Sequence, residues 1–273
     1  MKETEGRNIQ AILTIAGSDC SAGAGMQADL KTFQHFGLHG LTAVTSIVSE
    51  TANTVRRVDP VNAAMVEDQI TLLLEAFPLH FVKTGMLGSA EHVSVVAKIF
   101  RNQPKIQLII DPVMVASTGD SLLEQDAVKT YKESLLPLAY VVTPNLPEAE
   151  ILLGEKIHSV QMMSEASRRL SEKFGCAVLL KGGHLGEDTC TDILFDGSEE
   201  HLFSSPRLSV KASHGTGCTL AAALAASLAR GENLSTATSS AKSYLNRCLA
   251  DSYSFTSKNG DAIHALNQGL PSS

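Results

Sequence analysis

Cysteine is scarce in this chain of 273 residues: five occur, Cys20, Cys176, Cys190, Cys218 and Cys248, and no two form a C-x-x-C pair. Scattered and odd in number, they exclude a zinc ribbon and argue against a disulfide framework. Basic charge is also short. Lysine and arginine number 22 against 29 acidic residues, a net charge of −7, which argues against a nucleic-acid partner, since that requires a basic face. Long hydrophobic runs are absent too. The longest run of small apolar residues, 220–229, is ten residues broken by Ser227, well short of the roughly 20 that cross a bilayer. The first ten residues, MKETEGRNIQ, are polar and mixed in charge, which reads as a short extension and not as a signal or transit peptide. No Pro- or Ser-rich linker divides the chain, and no internal repeat is visible. With 44% apolar and 19% charged residues, the composition is that of a folding chain. One domain over residues 11–270 is expected, in a cytoplasmic protein with neither a membrane nor a nucleic acid as partner.

The hydrophobic pattern alternates between short runs and longer amphipathic stretches. Strands are expected at 11–16, 43–48, 80–83, 108–110, 140–142 and 177–180. Helices are expected at 26–36, 63–77, 90–100 and 164–174. Strands alternating with helices of this length make βαβ units, and strands that are apolar throughout are buried on both faces. The fold class is therefore α/β, with a mostly parallel sheet between two helical layers. Two further β-rich pieces, 191–195 and 201–210, follow without a helix and with Gly197 between them; they read as an antiparallel hairpin at one edge. The remainder reads as helical, 216–230 closed by Gly231 and then 235–250.

Ligands of open parallel sheets bind beyond the carboxyl ends of the strands. Glycine, carboxylates, asparagine and lysine crowd those positions here. Gly17-Ser18-Asp19 and Gly23-Ala24-Gly25 follow the first strand, Ser49-Glu50-Thr51 the second, and Thr84-Gly85-Met86 the third. Asp111-Pro112-Val113-Met114 follows the fourth, with Ser117-Thr118-Gly119-Asp120 close behind. Thr143-Pro144-Asn145-Leu146-Pro147-Glu148 follows the fifth, and Lys181-Gly182-Gly183-His184 the sixth. The sharpest local signal is His214-Gly215-Thr216-Gly217-Cys218-Thr219, which opens an alanine-rich helix. Its glycines admit close backbone approach, and the unpaired N–H groups of a helix start, with the helix dipole, suit an anion or a developing oxyanion.

No G-x-x-x-x-G-K-[ST] occurs, so a nucleotide would not be held by a P-loop. Gly23-Ala24-Gly25-Met26-Gln27-Ala28 does fit G-x-G-x-x-A, with Glu50 where a ribose-binding acid would lie. The six residues between the expected strand end and Gly23 argue against that dinucleotide turn, which should follow its strand at once.

In order along residues 11–250, Ile15-Ala16-Gly17-Ser18-Asp19, Gly23-Ala24-Gly25 with Gln27-Ala28-Asp29-Leu30-Lys31, Lys83-Thr84-Gly85-Met86-Leu87, Asp111-Pro112-Val113-Met114, Thr143 to Ala149, Lys181 to His184 and His214 to Thr219 resemble the hydroxymethylpyrimidine/phosphomethylpyrimidine kinases of the ribokinase-like superfamily. Several of these pieces also occur in pyridoxal kinases. The resemblance implies a three-layer α/β/α fold and a homodimer. It also implies ATP with Mg²⁺, and transfer of the γ-phosphoryl group to 4-amino-5-hydroxymethyl-2-methylpyrimidine and then to its monophosphate, in thiamine biosynthesis. It places the pyrimidine near Gly17, Asp19, Val48, Glu50 and Met86. ATP falls to Asn145, Lys181, Gly182, Gly183, His184, Gly215, Thr216 and Gly217. Glu148 matches the acidic position that organises magnesium through water, and Lys181 the lysine on the transferring phosphate. Cys218 matches the position of the catalytic base. At a helix N-terminus its thiol pKa is expected to fall, making thiolate available.

Two positions depart from that pattern. Cys20 stands where the family commonly has proline, and Glu50 where the pyrimidine-reading residue is typically glutamine. Glu50 keeps a vitamin B6 kinase of the same architecture as the alternative. A pyrimidine-sensing module without catalysis is the third reading, disfavoured by the complete phosphate machinery.

Overall fold

Valine, isoleucine and leucine dominate the central strands because each is covered on both faces. A computed structural model describes residues 9–114, 125–183, 185 and 188–269. The motif 117–120, His184 and the first eight residues of the polar extension lie outside the described residues. In chain order the elements are β1 (Ala11–Asp19), α1 (Gly25–His35), β2 (His39–Thr51), β3 (Thr54–Pro60), α2 (Ala63–Ala76), β4 (Phe81–Thr84) and α3 (Ala90–Arg101). Next come β5 (Gln107–Ile110), α4 (Gln125–Thr130), β6 (Val141–Val142), α5 (Leu146–Leu153), α6 (Val160–Phe174) and β7 (Ala177–Leu180). The last are β8 (Thr189–Phe195), β9 (Glu200–Pro206), α7 (Thr216–Ala229), α8 (Leu234–Ala250), β10 (Tyr253–Thr256) and β11 (Ala262–Ala265).

The first nine strands form one sheet in the order β3-β2-β1-β4-β5-β6-β7-β8-β9. From β2 to β7 every pairing is parallel. β8 and β9 complete one edge as an antiparallel hairpin. The other edge also ends antiparallel, because β3 folds back on β2. The hairpin was expected at one edge only; β3 is exposed at every position, so it carries no burial alternation by which to find it. A second departure is the β10–β11 hairpin, in the stretch beyond 250 to which no element was assigned. β1 also runs on through Asp19, so only Cys20, Ser21 and Ala22 precede Gly23.

Alternate strand residues enter two cores. Leu13, Ile15, Leu108, Ile110, Val142 and Val178 pack with α2 to α6. Ile12, Ile109, Val141 and Leu179 pack with α1, α7 and α8. Burying each such side chain is worth about 1.5–3 kcal/mol. α7 is buried at every residue from Thr219 to Ala229, and its run of alanines lets that helix lie close under the sheet. The sheet order reverses beside β1, whose neighbours are β2 and β4, and this is where an open parallel sheet leaves its crevice.

One charged pair is enclosed at that reversal. Lys83 on β4 and Asp29 on α1 are both 0% exposed, with Nζ 2.9 Å from Oδ2. Thr14 Oγ1 donates to the same carboxylate oxygen at 2.6 Å. Burial works against the ammonium, but Asp29, Cys218 and Asp111 together hold the Lys83 pKa above its ordinary value. Removing one partner strands the other charge. Lys83→Met is therefore expected to lower unfolding free energy by about 3–5 kcal/mol, whereas the paired replacement Lys83→Met with Asp29→Leu recovers most of it. Urea melts of both variants check this, and a single variant as stable as the parent would contradict it.

Candidate functional site at the carboxyl edge of the sheet

Helix starts are normally closed by a side chain. Asn62 caps α2, Ser89 caps α3, Ser159 caps α6 and Asn233 caps α8. Asn145 and Glu148 close α5 with a reciprocal capping box. α1 and α7 differ: their N-cap residues, Ala24 and Gly215, offer no side-chain cap. These two starts meet. The Gly25 N–H at the start of α1 reaches Cys218 in the first turn of α7. Two helix starts without a side-chain cap thus lie side by side, and such starts suit an anion.

The loops before them interlock. A Cβ on Gly215 would sit 2.0 Å from the Gly23 carbonyl oxygen, and Gly215 has φ +82°. A Cβ on Gly23 would sit 2.7 Å from the His214 ring. This contact, and not the spacing after β1, is what removes the dinucleotide reading: the turn is already covered by the chain itself. Asp19 organises the same loop. Its Oδ1 accepts from Ser21 N and Oγ at 2.7 and 2.8 Å. Its Oδ2 accepts from Gly23 N, Ala24 N and His214 Nε2 at 3.0, 2.8 and 2.9 Å. Burial opposes ionisation, and these bonds override it, holding the Asp19 pKa at about 2. A carboxylate has about four lone-pair sites, so Asp19 is filled by its own loop. It stands beside the expected pyrimidine residues but has little left to offer a ligand.

Gly17, Val48 and Met86 come together. A Cβ on Gly17 would lie 2.7 Å from Met86 Cε and 3.8 Å from Val48 Cγ2. The absent side chain therefore lets the methionine lie over the β1 end, in an apolar contact with Gly17 beside Val48. Glu50, two residues beyond Val48 on β2, is half-buried beside Asp19 and His214. Burial and Asp19 raise its pKa, and His214 opposes the rise. The His214 pKa is itself raised: burial opposes the charged ring, and the bond to Asp19 overrides that. Asp19, Glu50 and His214 each present one ligand atom within 4.8 Å of the others. With Asp19 already saturated, this group suits a polar edge better than a metal. Cys20, where a proline was the family's expectation, bonds the Glu50 backbone, its sulfur 3.2 Å from the Glu50 carbonyl oxygen.

On the far side of α7 lies the charged half. Lys181 Nζ is 2.8 Å from Asp111 Oδ1, and Thr143 Oγ1 donates to the same atom at 2.9 Å. A Cβ on Gly217 would stand 3.4 Å from Lys181 Nζ and 3.6 Å from Asp111 Oδ2, so the first turn of α7 faces this pair. Asn145 and Lys181 are joined by a parallel bridge between their strand ends. Glu148 is 2% exposed. Its Oε2 accepts from Asn145 N at 2.8 Å and its Oε1 from Met114 N at 3.4 Å. Burial pushes its pKa up to about 7, Lys181 working against the rise and Asp111 with it. Thr216 donates from Oγ1 to Ser213 O at 3.0 Å. Gly182 is held differently from the other glycines: its N–H donates to Asp192 at 2.9 Å, and a Cβ there would strike the Thr191 carbonyl at 1.9 Å. Its lack of a side chain serves packing against β8. Gly183 is open, with no neighbour within 4 Å of where a Cβ would stand.

The expectation for Cys218 is reversed. Burial raises its thiol pKa to about 11; Lys83 and the Gly25 N–H oppose the rise, while Asp29 and Asp111 add to it. The helix terminus does not outweigh desolvation. Sequence reading gave no role to His214, Asp29, Lys83 or Asp111. A lysine inside the otherwise apolar β4 was the available signal for a buried partner.

Residues 19–262 match the phosphomethylpyrimidine kinase family. A thiamine biosynthesis bifunctional protein of Geobacter sulfurreducens is 43% identical over 256 residues, covering 94% of this chain and 52% of that protein. The chain thus spans about half the length of that relative. The hydroxymethylpyrimidine/phosphomethylpyrimidine kinase of Bacillus subtilis is 39% identical over 258 residues, covering 94% of this chain and 95% of the relative. Among solved structures, the pyridoxal kinase of Staphylococcus aureus in complex with AMP-PCP and pyridoxal superposes with a TM-score of 0.84 at 35% identity, covering 96% of this chain and 94% of the other.

The elevated thiol pKa has a direct test. Thiolate is the reactive form, so alkylation of Cys218 by iodoacetamide, followed on its own peptide by mass spectrometry, should climb about tenfold per pH unit from pH ~7 to ~10. A plateau near neutrality would show that the helix terminus prevails over burial.

Proposed function

Because the chain belongs to the phosphomethylpyrimidine kinase family, we propose that this edge transfers the γ-phosphoryl group of ATP to the hydroxymethyl group of 4-amino-5-hydroxymethyl-2-methylpyrimidine. The phosphotransferase is a hydroxymethylpyrimidine/phosphomethylpyrimidine kinase, so the monophosphate is its second acceptor. The carrying observation is that the two uncapped helix starts lie together, with the apolar cluster of Gly17, Val48 and Met86 and the Lys181 ammonium both close to them.

In this reading the pyrimidine lies between Val48 and Met86 against Gly17, its amino edge toward Glu50. The hydroxymethyl oxygen points at Cys218 and the γ-phosphoryl group rests on the N–H groups from Gly215 to Cys218. Asn145, Lys181, Gly183 and His184 serve the nucleotide. As the acceptor oxygen bonds phosphorus, the phosphorus–oxygen bond to the departing ADP breaks and the hydroxyl proton passes to the Cys218 sulfur. Thiolate is scarce at neutral pH, but Lys83 and the Gly25 N–H favour it where it forms. Phosphoryl transfer asks chiefly for positioning and charge neutralisation, which these groups provide. Magnesium fits the donor set. Asp111 and Glu148 are buried carboxylates flanking Lys181, hard oxygen donors of the kind Mg²⁺ takes together with water. When bound, the ion neutralises charge on the phosphates. Residues 11–270 acting as one kinase domain, a homodimer and a cytoplasmic location complete the proposal.

Steady-state turnover with hydroxymethylpyrimidine, its monophosphate, pyridoxal and pyridoxine, each with Mg-ATP, tests it. The pyrimidines should be preferred; a preference for pyridoxal would support the vitamin B6 alternative, for which the Staphylococcus aureus structure is the precedent. Gly217→Ala should fold, because its methyl finds 3.4 Å to the nearest atom. It should still lose about 10²–10³ in turnover by filling the space meant for the phosphoryl oxygens. Near-normal turnover would place the phosphoryl group elsewhere.

Glu50 gives the pH prediction. A glutamine can donate to an unprotonated ring nitrogen and accept from the 4-amino group; an ionised glutamate can only accept. A proton shared between Glu50 and the ring restores the donor, and such charge-assisted pairs are the stronger kind. The raised Glu50 pKa means that proton is kept above the ordinary carboxylate range and lost as pH rises further. Calorimetric affinity for the pyrimidine should therefore weaken with rising pH in the parent and stay flat in Glu50→Gln. Identical profiles would show that Glu50 does not read the ring.

A further inference from the structure

The two loops that build the phosphate end are tied together by a third segment, far away in sequence. After β11 the chain returns to the core. Leu266 is buried, and the Asn267 N–H donates to the Cys248 carbonyl at 3.1 Å. Gln268 is 2% exposed. Its Nε2 donates to the Gly23 carbonyl at 3.0 Å and to Thr219 Oγ1 at 2.8 Å. Thr219 Oγ1 passes its own proton to the Gly215 carbonyl at 2.7 Å. Tyr244 O–H fixes the Gln268 backbone by donating to its carbonyl at 2.9 Å.

This wiring has one polarity. Both Nε2 protons are taken, and turning the amide over would set its oxygen against the Gly23 carbonyl. That carbonyl is also the atom on which Gly215 rests. One amide therefore fixes the last glycine before α7 and the glycine loop before α1 at the same time.

We propose that Gln268 is a positioning residue for phosphoryl transfer, acting through the backbones of Gly23 and Gly215 and touching neither substrate. The proposal rests on the kinase reading above. Rate depends steeply on such placement, a 1 Å error costing about 10²-fold. Substrate binding depends mainly on Val48, Met86, Glu50 and Lys181, which Gln268 does not contact.

The test compares full-length parent, Gln268→Leu and Gln268→Glu in turnover with hydroxymethylpyrimidine and Mg-ATP, alongside circular dichroism and melting. For folded Gln268→Leu the expected result is a fall in kcat of about 10–100-fold, with both KM values within about threefold. For Gln268→Glu the ionised carboxylate cannot donate, so kcat should fall similarly at neutral pH. It should partly recover, relative to the parent profile, as acid protonates the carboxyl. A folded Gln268→Leu with kcat within twofold of parent would overturn the proposal, as would a deficit that vanishes on cooling away from a lowered melting temperature. Should Gln268→Leu not fold, Thr219→Val breaks the relay to Gly215 while leaving the bond to Gly23. It is expected to show the same split of kcat from KM, and turnover within twofold overturns the proposal there. A parent without turnover overturns the kinase reading and the proposal with it; failure of the variants beside an active parent overturns the proposal alone.

Discussion

The carbonyl oxygen of Gly23 is where the active edge is held together. Gly215 lies so close to it that a side chain there would need to stand 2.0 Å away, and only a glycine with φ +82° can make the approach. Because the two loops meet backbone to backbone, neither helix start can shift without the other. Everything between them inherits that rigidity: the Gly25 N–H facing Cys218, the Gly217 turn facing Lys181, and the His214 ring over Gly23. The strain is local. Ala22 takes a left-handed φ of 60°, which costs a non-glycine residue about 1–2 kcal/mol, and Lys31 steadies its carbonyl with a 2.6 Å bond.

Electrostatics then divides the edge into zones. Asp29, Lys83, Asp111 and Lys181 alternate in sign around Cys218, so each buried charge has an opposite neighbour, although burial still raises the Asp29 pKa. The thiol is left at the centre of this balance. Its pKa of about 11 follows first from burial, to which Asp29 and Asp111 add and which Lys83 and the Gly25 N–H oppose. Such a group is unreactive toward adventitious electrophiles at neutral pH, yet strongly basic once deprotonated. In the proposed transfer, where Cys218 takes a proton from an alcohol, that combination spares the thiol from side reactions.

How legible this was from sequence depended on whether burial left a pattern. β4, β5 and β7 were found within a residue or so because they are apolar on both faces, and α2, α3 and α7 because caps or glycines mark their ends. β3 was missed because it is solvent-exposed throughout and so shows no periodicity. β1 was cut short at Gly17, a residue that reads as a turn but sits in the strand at a register shift against β2. Within the site, the glycine loops and Lys181 were visible as residue types at strand ends. The Lys83–Asp29 pair was not, since a pairing across 54 residues leaves no local trace. The sign of the Cys218 shift was misjudged for a related reason: position at a helix start is local and readable, whereas desolvation by packed neighbours is not. Gln268, in a polar tail without periodicity, offered no signal at all.

Substrate choice rests on a narrower base than catalysis. On the phosphate side the groups are redundant, with two helix ends and a lysine all favouring negative charge. On the side proposed for the pyrimidine, Val48, Gly17 and Met86 offer apolar contact and no directional one, and Asp19 is filled by its own loop. His214 has its Nε2 on Asp19. Glu50 is then the polar side chain in that cluster left to address a ring edge, and its backbone is pinned by Cys20. Discrimination by one buried polar group is steep, because a ligand that leaves it unpaired loses the contact and also incurs the desolvation penalty, about 1–3 kcal/mol. A change of that size at Glu50 alters the substrate ratio by roughly 5- to 150-fold without touching the phosphate machinery. On the proposed assignment, specificity between aminopyrimidine and pyridine alcohols would move through this one position while the transfer chemistry stays fixed.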